Sequence, residues 1–147
     1  MKSKNVIPNL VSRYIQNTGA GEIVVLESSF LCNLTSATLR GVGVAHSKIY
    51  ISTRVIKHIY DKKPAEEFDF LARNLHLIFR FPDHVYENKS SKRGQYVFVK
   101  TIKDQLYFAS LEYTTKLEVV TTFRIRKLSY LNNYQLMWSW RDDISSS

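Results

Sequence analysis

The chain has 147 residues, 44% of them hydrophobic and 23% charged, which is the size and composition of one ordinary globular domain. An aromatic content of 13% excludes disorder over most of the chain, and a single cysteine, Cys32, excludes an internal disulfide. Twenty-one Lys and Arg against thirteen Asp and Glu give a formal net charge of +8, which favours a polyanionic partner. Because no apolar run reaches the ~18–20 residues of a spanning helix, we expect a cytoplasmic protein with no membrane association.

The first elements in chain order belong to an N-terminal extension, which we place at residues 1–45. Apolar residues at helical spacing predict a helix over 6–16, and the Gly-rich segment that follows predicts a turn. Residues 22–27 have the apolar content of a buried strand. Residues 28–47 have no pattern that favours one element.

From residue 48 the patterns become regular. Residues 48–51 predict a strand, and Ser52 and Thr53 offer an N-cap to a helix that extends through about Tyr60. A second helix follows Pro64, with apolar residues at i, i+3, i+4 and i+7 over 68–79. Pro82 ends it.

The remaining pattern is that of a β-meander. Strands are predicted at 85–87, 95–102, 105–113 and 117–125, with a two-residue hairpin turn at 103–104. Helices followed by a run of strands indicate an α+β domain, with helices packed on one face of an antiparallel sheet and the other face free for a ligand. We assign this domain to residues 46–141 and a flexible tail to residues 142–147.

Basic residues cluster in three stretches, 46–63, 88–103 and 119–141, of which only the first contains an acid. A solvated surface would explain any one of them, but the three together in a β-rich, aromatic domain fit a nucleic-acid backbone better. The predicted nucleic-acid-binding residues are Lys48, Arg54, Lys62, Lys89, Lys92, Arg93, Lys100, Arg126 and Lys127.

The strand at 117–125 is predicted to have two chemically different faces, because alternate residues of a strand point to opposite sides. Thr121 and Phe123 fall on the face expected to pack in the core. Thr122 and Arg124 fall on the other, which is expected to be a cationic, hydroxyl-bearing surface. An exposed strand face without a function would also tolerate these residue types.

His58 is the leading candidate for proton transfer. It lies at the edge of the buried stripe of its helix, with Arg54 four residues before it and Lys62 four residues after it. Two neighbouring cations favour the neutral imidazole, which can act as a base. The alternative is a helix-edge histidine with no catalytic role.

Metal-free RNA cleavage requires a base for the 2′-hydroxyl, an acid for the leaving 5′-oxygen, and cations or hydroxyl donors around the phosphate. His58, Lys57, Arg124 and Thr122 are residues of suitable types. The sequence has neither a His/Cys cluster with zinc spacing nor a phosphate-binding glycine motif, and its acids are scattered. We therefore expect no metal and no cofactor.

Several short segments, in order, resemble a known group of nucleases: the phage and mobile-element domains grouped with barnase, EndoU, the tRNA-cleaving colicins and RelE-type toxins. The resemblance covers roughly residues 46–140. It is carried by segments 49–52, 56–59, 82–88, 96–100, 120–124, 130–134 and 136–139.

The resemblance implies a small α+β fold with helices on a curved antiparallel sheet, and metal-independent endoribonuclease activity on transfer RNA or another structured RNA. The family's helix histidine corresponds to His58, and its late-strand hydroxyl residue corresponds to Thr121 or Thr122. A Thr-x-Tyr motif found in related toxins is here Thr121-x-Phe123, without the phenol. An acidic antitoxin or immunity protein is the protein partner that such a toxin would have.

Two further hypotheses stay open at this point. One is a non-catalytic RNA- or DNA-binding module of the same fold, or a phage accessory protein. The other is an interaction domain whose basic surface meets an acidic partner. Catalysis would require His58, Arg124 and a threonine to converge within about 6 Å of one phosphate-sized position.

Overall fold

The computed structural model describes residues 5–90 and 94–140. Four helical segments precede most of the sheet: α1 (Val6–Leu10, continued by a π-helical turn at Val11–Ile15), α2 (Ser36–Val42), α3 (Thr53–Lys62) and α4 (Ala65–Arg80). The strands are β1 (Ser28–Asn33), β2 (Lys48–Ser52), β3 (His84–Glu87), β4 (Tyr96–Ile102), β5 (Gln105–Tyr113), β6 (Leu117–Ile125) and β7 (Gln135–Ser139). A 3₁₀ helix at Leu128–Asn133 joins the last two strands.

The seven strands form one open, curved sheet in the order β1-β2-β6-β5-β4-β3-β7. Within the described residues every pairing is antiparallel except that of β2 with β6, which is parallel and limited to two residue pairs. The sheet is therefore mixed rather than wholly antiparallel. The predicted α+β class and the predicted strands from residue 85 onward are confirmed.

The hairpin between β4 and β5 has the predicted two-residue turn. Lys103 and Asp104 have φ values of 50° and 65°. Two successive residues with positive φ are the requirement of a type I′ turn, whose twist matches that of the flanking strands.

The main core lies between the helices and one face of the sheet. The apolar stripe of α4 supplies Leu71, Leu75, Ile78 and Phe79, all at most 2% exposed. Ile7, Leu10 and Ile15 of the N-terminal segment belong to the same core. Because β1 is also a strand of the common sheet, the described part of residues 1–45 packs with the rest of the chain.

The predicted strand at 22–27 is wrong. Ile23, Val25 and Leu26 are 95%, 63% and 70% exposed, and the strand of this region is β1, which begins at Ser28. The start of α3 holds the segment: the Thr53 hydroxyl donates to the carbonyl of Val25 and accepts from the amide of Glu27. The backbone of this segment therefore forms hydrogen bonds with the N-terminus of α3 where a strand would have paired with a neighbouring strand.

A second, smaller core lies on the opposite face of the sheet. Val97, Val99, Phe108 and Ile125 form it, and the 3₁₀ helix Leu128–Asn133 covers them with aromatic and apolar side chains. The chain itself therefore occupies part of the face that was expected to be free. Among the described residues, the part left open is formed by β1, β2 and the beginning of β6, where Phe30 is 43% exposed.

A β-bulge reverses the predicted parity of β6. Thr121 lies opposite Ser110, but Val119 lies opposite Leu111, so Val120 is an extra residue. Val119 faces the helices as predicted, but beyond the bulge Thr122 faces them too, while Phe123 packs in the second core against Phe108. The prediction that Thr121 and Phe123 lie on the core face covered by the helices, with Thr122 and Arg124 on the opposite face, is wrong for this reason.

Gly41 of α2 is in close contact with Trp138 of β7. A Cβ atom at position 41 would lie 1.8 Å from Trp138 Cδ1, so the indole could not keep its place. We expect Gly41→Ala to lower the free energy of unfolding by about 1–3 kcal/mol, the usual cost of overpacking, in spite of alanine's higher helix propensity. Urea unfolding measures this. Gly19→Ala is the control, since a Cβ there would have only an ordinary 3.8 Å contact, and equal losses in both variants would contradict the prediction.

His76 of α4 gives the fold a pH dependence. Burial, with a smaller contribution from Arg80, lowers the pKa of His76, and its buried Nδ1 has no hydrogen-bond partner among the described residues. The unfolded chain, with a histidine pKa of about 6.5, therefore binds protons more readily than the folded protein. We expect stability to be highest above about pH 6.5 and to fall with acidification through the pKa of the folded state. Urea titrations at pH 7 and pH 5 should show this fall in the wild type and a smaller one in His76→Asn; an unchanged fall in the variant would contradict it.

Candidate active site

His58 lies where α3 runs beside β6. Ser52, the last residue of β2, caps the helix by accepting a hydrogen bond from the Val55 amide at 3.2 Å. Ile56 and Ile59 are buried, which leaves His58 on the exposed side of the helix. The helical period put His58 at the edge of the buried stripe; in the structure its side chain is exposed, and it lines two clefts.

The first cleft, here called the cationic cleft, has a volume of about 500 Å³. Two lysines from the end of α3 border it, and the Lys63 ammonium lies 5.3 Å from the centre of the Phe123 ring. Thr121 supplies an aliphatic hydroxyl to its wall. The complete lining is His58, Ile59, Lys62, Lys63, Thr121, Phe123 and Tyr130.

The second cleft, here called the carboxylate cleft, has a volume of about 440 Å³ and also contains His58. Glu112 of β5 and Glu118 of β6 lie directly opposite each other in the ladder and both line it. Arg54 and Ser52 are on the helix side. Both carboxylates were missed in the sequence. Their position side by side follows from the short turn between β5 and β6, which pairs position 112 with position 118.

Lys57, predicted as catalytic, has a different environment. Its side chain is 7% exposed, and its ammonium donates to Asp61 Oδ1 at 2.5 Å and to the carbonyl of Gly19 at 2.6 Å. The hydrogen bond from Lys57, together with one from the Gly21 amide, lowers the pKa of Asp61. Lys57 therefore attaches the segment at 19–21 to α3 and lines neither cleft.

Thr122 and Arg124 also lie outside both clefts. Thr122 is 1% exposed and donates its hydroxyl proton to the carbonyl of Phe108 at 2.8 Å. The backbone amide of Arg124 donates to Glu67 of α4, and its partner across the ladder, Tyr107, belongs to the helix-side core. Of the groups expected to converge, the structure brings together His58 and Thr121 but not Arg124.

Glu67 forms its own charged cluster on the helix side of the sheet. Burial disfavours its charged form, but the hydrogen bonds from the Arg126 guanidinium and the Arg124 amide outweigh burial, so the pKa of Glu67 is lowered. Arg126, predicted to bind nucleic acid, is thus paired with a carboxylate at 2.6 Å.

The other predicted nucleic-acid-binding residues are distributed over several surfaces. Arg54 and Lys62 border the two clefts, and Lys48 lines a third surface at the beginning of β2. Lys89 and Lys127 are exposed elsewhere, and Lys100 donates to the carbonyl of Phe81. Lys92 and Arg93 lie outside the described residues.

Residues 5–90 and 94–140 contain neither a metal-ligand cluster nor a membrane-spanning helix. There, no three or more His, Cys, Asp and Glu side chains are grouped to hold a metal ion. In the same part of the chain, no helix combines the length and apolar character needed to cross a membrane.

The site combines an exposed histidine with lysines and carboxylates on an α+β scaffold, which are groups that can donate and accept protons. Comparison with protein families gives the class of protein: the model described as "phage-Barnase-EndoU-ColicinE5/D-RelE like nuclease3" matches residues 33–133, and the chain belongs to that family. The matched segment contains both clefts, and the resemblance seen in the sequence is confirmed. No curated protein and no solved structure matches the chain.

Proposed function

We propose that this protein is a metal-independent endoribonuclease in which His58 and Glu118 transfer the protons. The observation that carries the proposal is the position of His58 at the junction of the two clefts, with lysines on one side and a carboxylate pair on the other. This arrangement supplies a proton donor, a proton acceptor and phosphate-binding cations within one surface.

The chemistry follows from the charges around each group. The Glu118 carboxylate accepts the proton of the 2′-hydroxyl, because an ionised carboxylate is purely an acceptor. The 2′-oxygen then attacks phosphorus. A phosphate held at Lys62 and Lys63 lies beside His58, and the proposal makes this residue the acid, since an imidazolium can donate a proton. The role of base, considered for His58 from the sequence, goes to Glu118.

His58 gives its proton to the 5′-oxygen as the P–O5′ bond breaks. The products are a 2′,3′-cyclic phosphate and a free 5′-hydroxyl. Lys62 and Lys63 stabilise the charge that develops on the phosphate oxygens, and Thr121, which lines the same cleft, donates a hydrogen bond to them. Because the nucleophile belongs to the RNA, the protein has to supply only an acid, a base and cations.

The proposal has three finer parts: the substrate is a structured RNA such as transfer RNA, the protein acts as a toxin, and an acidic protein inhibits it. The formal net charge of +8 and the lysines of the cationic cleft support an anionic partner in each case. A carboxylate-rich inhibitor would compete with RNA for Lys62 and Lys63.

The test is incubation of the purified protein with total RNA in EDTA, followed by analysis of the fragment ends. We expect discrete fragments with 2′,3′-cyclic phosphate and 5′-hydroxyl ends, and no cleavage of an oligonucleotide with 2′-deoxyribose throughout. Cleavage of DNA, or fragments with 5′-phosphate ends, would overturn the mechanism. RNA binding without any cleavage would favour the non-catalytic module instead.

A further inference from the structure

A third surface, beside the carboxylate cleft, combines two exposed rings and one half-buried ring with cations. Its rings are His46, Tyr50 and Tyr113, and its cations are Lys48 and Lys116; we call it the aromatic platform. His46 and Tyr113 are stacked, with ring centroids 5.2 Å apart and planes at 11°. The ammonium of Lys116 lies 4.6 Å from the centre of the Tyr50 ring. A cleft of about 430 Å³ lies at this surface.

The rings of the platform are not part of either core. Ile49 and Ile51 of β2 point to the helix side and are fully buried, so Tyr50 between them lies on the open face. Tyr113 is 39% exposed, and His46 is exposed. Stacked rings that remain accessible beside lysines are the chemistry of single-stranded nucleic-acid binding, in which rings stack on bases and cations hold the backbone.

The platform is adjacent to the proposed catalytic groups. Tyr50 of the platform pairs with Glu118 of the carboxylate cleft in the parallel part of the sheet. Lys116 is two residues before Glu118, a distance of about 7 Å along an extended chain. A base on the platform would therefore belong to a nucleotide close to a phosphate at His58.

The charges indicate how a strand would lie. Glu112 and Glu118 repel a phosphate, so the backbone should be held by Lys62 and Lys63 at one end of this surface and by Lys48 and Lys116 at the other. The nucleotide between them must turn its base toward the rings. Bases in an A-form duplex are stacked on each other and are not available for this.

We propose that the aromatic platform is a base-stacking subsite for an unpaired nucleotide next to the cleaved phosphate, so that the substrate is a single-stranded or looped RNA segment. The placement of the cleaved phosphate rests on the proposed function. The affinity of the platform for an unpaired base does not, because it depends only on the rings and lysines described above.

The experiment measures binding rather than cleavage. A fluorescent single-stranded oligonucleotide with 2′-O-methyl ribose, which has no nucleophile, is titrated with wild type, Tyr113→Leu and His46→Leu. Loss of one stacked base weakens binding by about 5- to 150-fold, and we expect a loss in this range for each variant. Phe81→Leu, which changes a ring that is 51% exposed outside the platform, is the matched control and should bind as wild type does.

Two comparisons identify the cause of any loss. With the same oligonucleotide in a perfect duplex, the platform variants should bind as wild type does. When the oligonucleotide carries abasic sites in place of the bases, wild type should bind it as weakly as the variants bind the intact single strand. Unchanged single-strand affinity in both folded variants, or an equal loss on the duplex, would overturn the proposal. If the protein cuts no RNA but shows these binding differences, the proposed function is overturned, whereas the base-stacking role of the platform is supported.

Discussion

Replacing His58 by alanine is expected to lower the rate of RNA cleavage by about 10²- to 10⁴-fold, the usual cost of removing a positioned acid or base. Glu118→Gln should cause a loss of similar size, because the amide keeps the shape of the side chain but cannot accept the 2′-hydroxyl proton. Binding should change little in His58→Ala, since Lys62 and Lys63 remain. Cleavage of a defined RNA under single-turnover conditions, with binding measured in parallel, gives both quantities.

Matched controls separate this effect from a general loss of charge or fold. Glu66→Gln removes an exposed carboxylate of α4 outside both clefts and should cleave as wild type does. Arg124→Ala should also retain cleavage in whatever fraction folds, because Arg124 lies on the helix side of the sheet. Wild-type cleavage by His58→Ala, or by Glu118→Gln, would show that the role of that residue is wrongly assigned.

Replacing Leu75 by alanine is expected to lower the free energy of unfolding by about 2–5 kcal/mol. Leu75 is 1% exposed at the centre of the α4 stripe, so its truncation removes apolar contact and leaves a cavity in the main core. A loss of this size is a large part of the total stability of a domain, typically about 5–15 kcal/mol.

Leu128→Ala is the control for that prediction, because Leu128 is 75% exposed and its truncation removes little buried surface. Urea unfolding at one pH compares the two variants with the wild type. Similar midpoints for Leu75→Ala and Leu128→Ala would contradict the placement of α4 against the sheet. RNA affinity of the folded fraction should be unchanged in both.

Local patterns determined the parts of this protein that depend on neighbours in sequence. The apolar period over 68–79 predicted α4 and its buried stripe, and the same period placed His58 at the edge of the buried stripe of α3. The two positive-φ residues of the β4–β5 turn also follow from a local pattern, since a two-residue link between alternating strands requires them. Each of these features depends on residues that belong to one helix or to one hairpin.

Long-range packing decided the composition of the candidate site. The bulge at Val120 places Thr121 in the cationic cleft and moves Thr122 and Arg124 to the helix side, whereas strict alternation predicts the reverse. A bulge depends on the fit of β6 to β5 and to α3, which no period within β6 reveals. Lys57 is buried because Gly19, 38 residues away, brings a carbonyl to its ammonium.

The sequence by itself determined that this chain has a basic α+β domain of a nuclease family with a histidine at the edge of a helix stripe, because composition, period and the order of short segments are properties of the chain alone. Only the tertiary structure decided which groups accompany that histidine. Glu112 and Glu118 line the same cleft as His58 because the ladder of β5 and β6 pairs them and α3 packs beside β6. Contacts between residues far apart in sequence depend on how the sheet twists, bulges and is covered, and these follow from the packing of the whole domain.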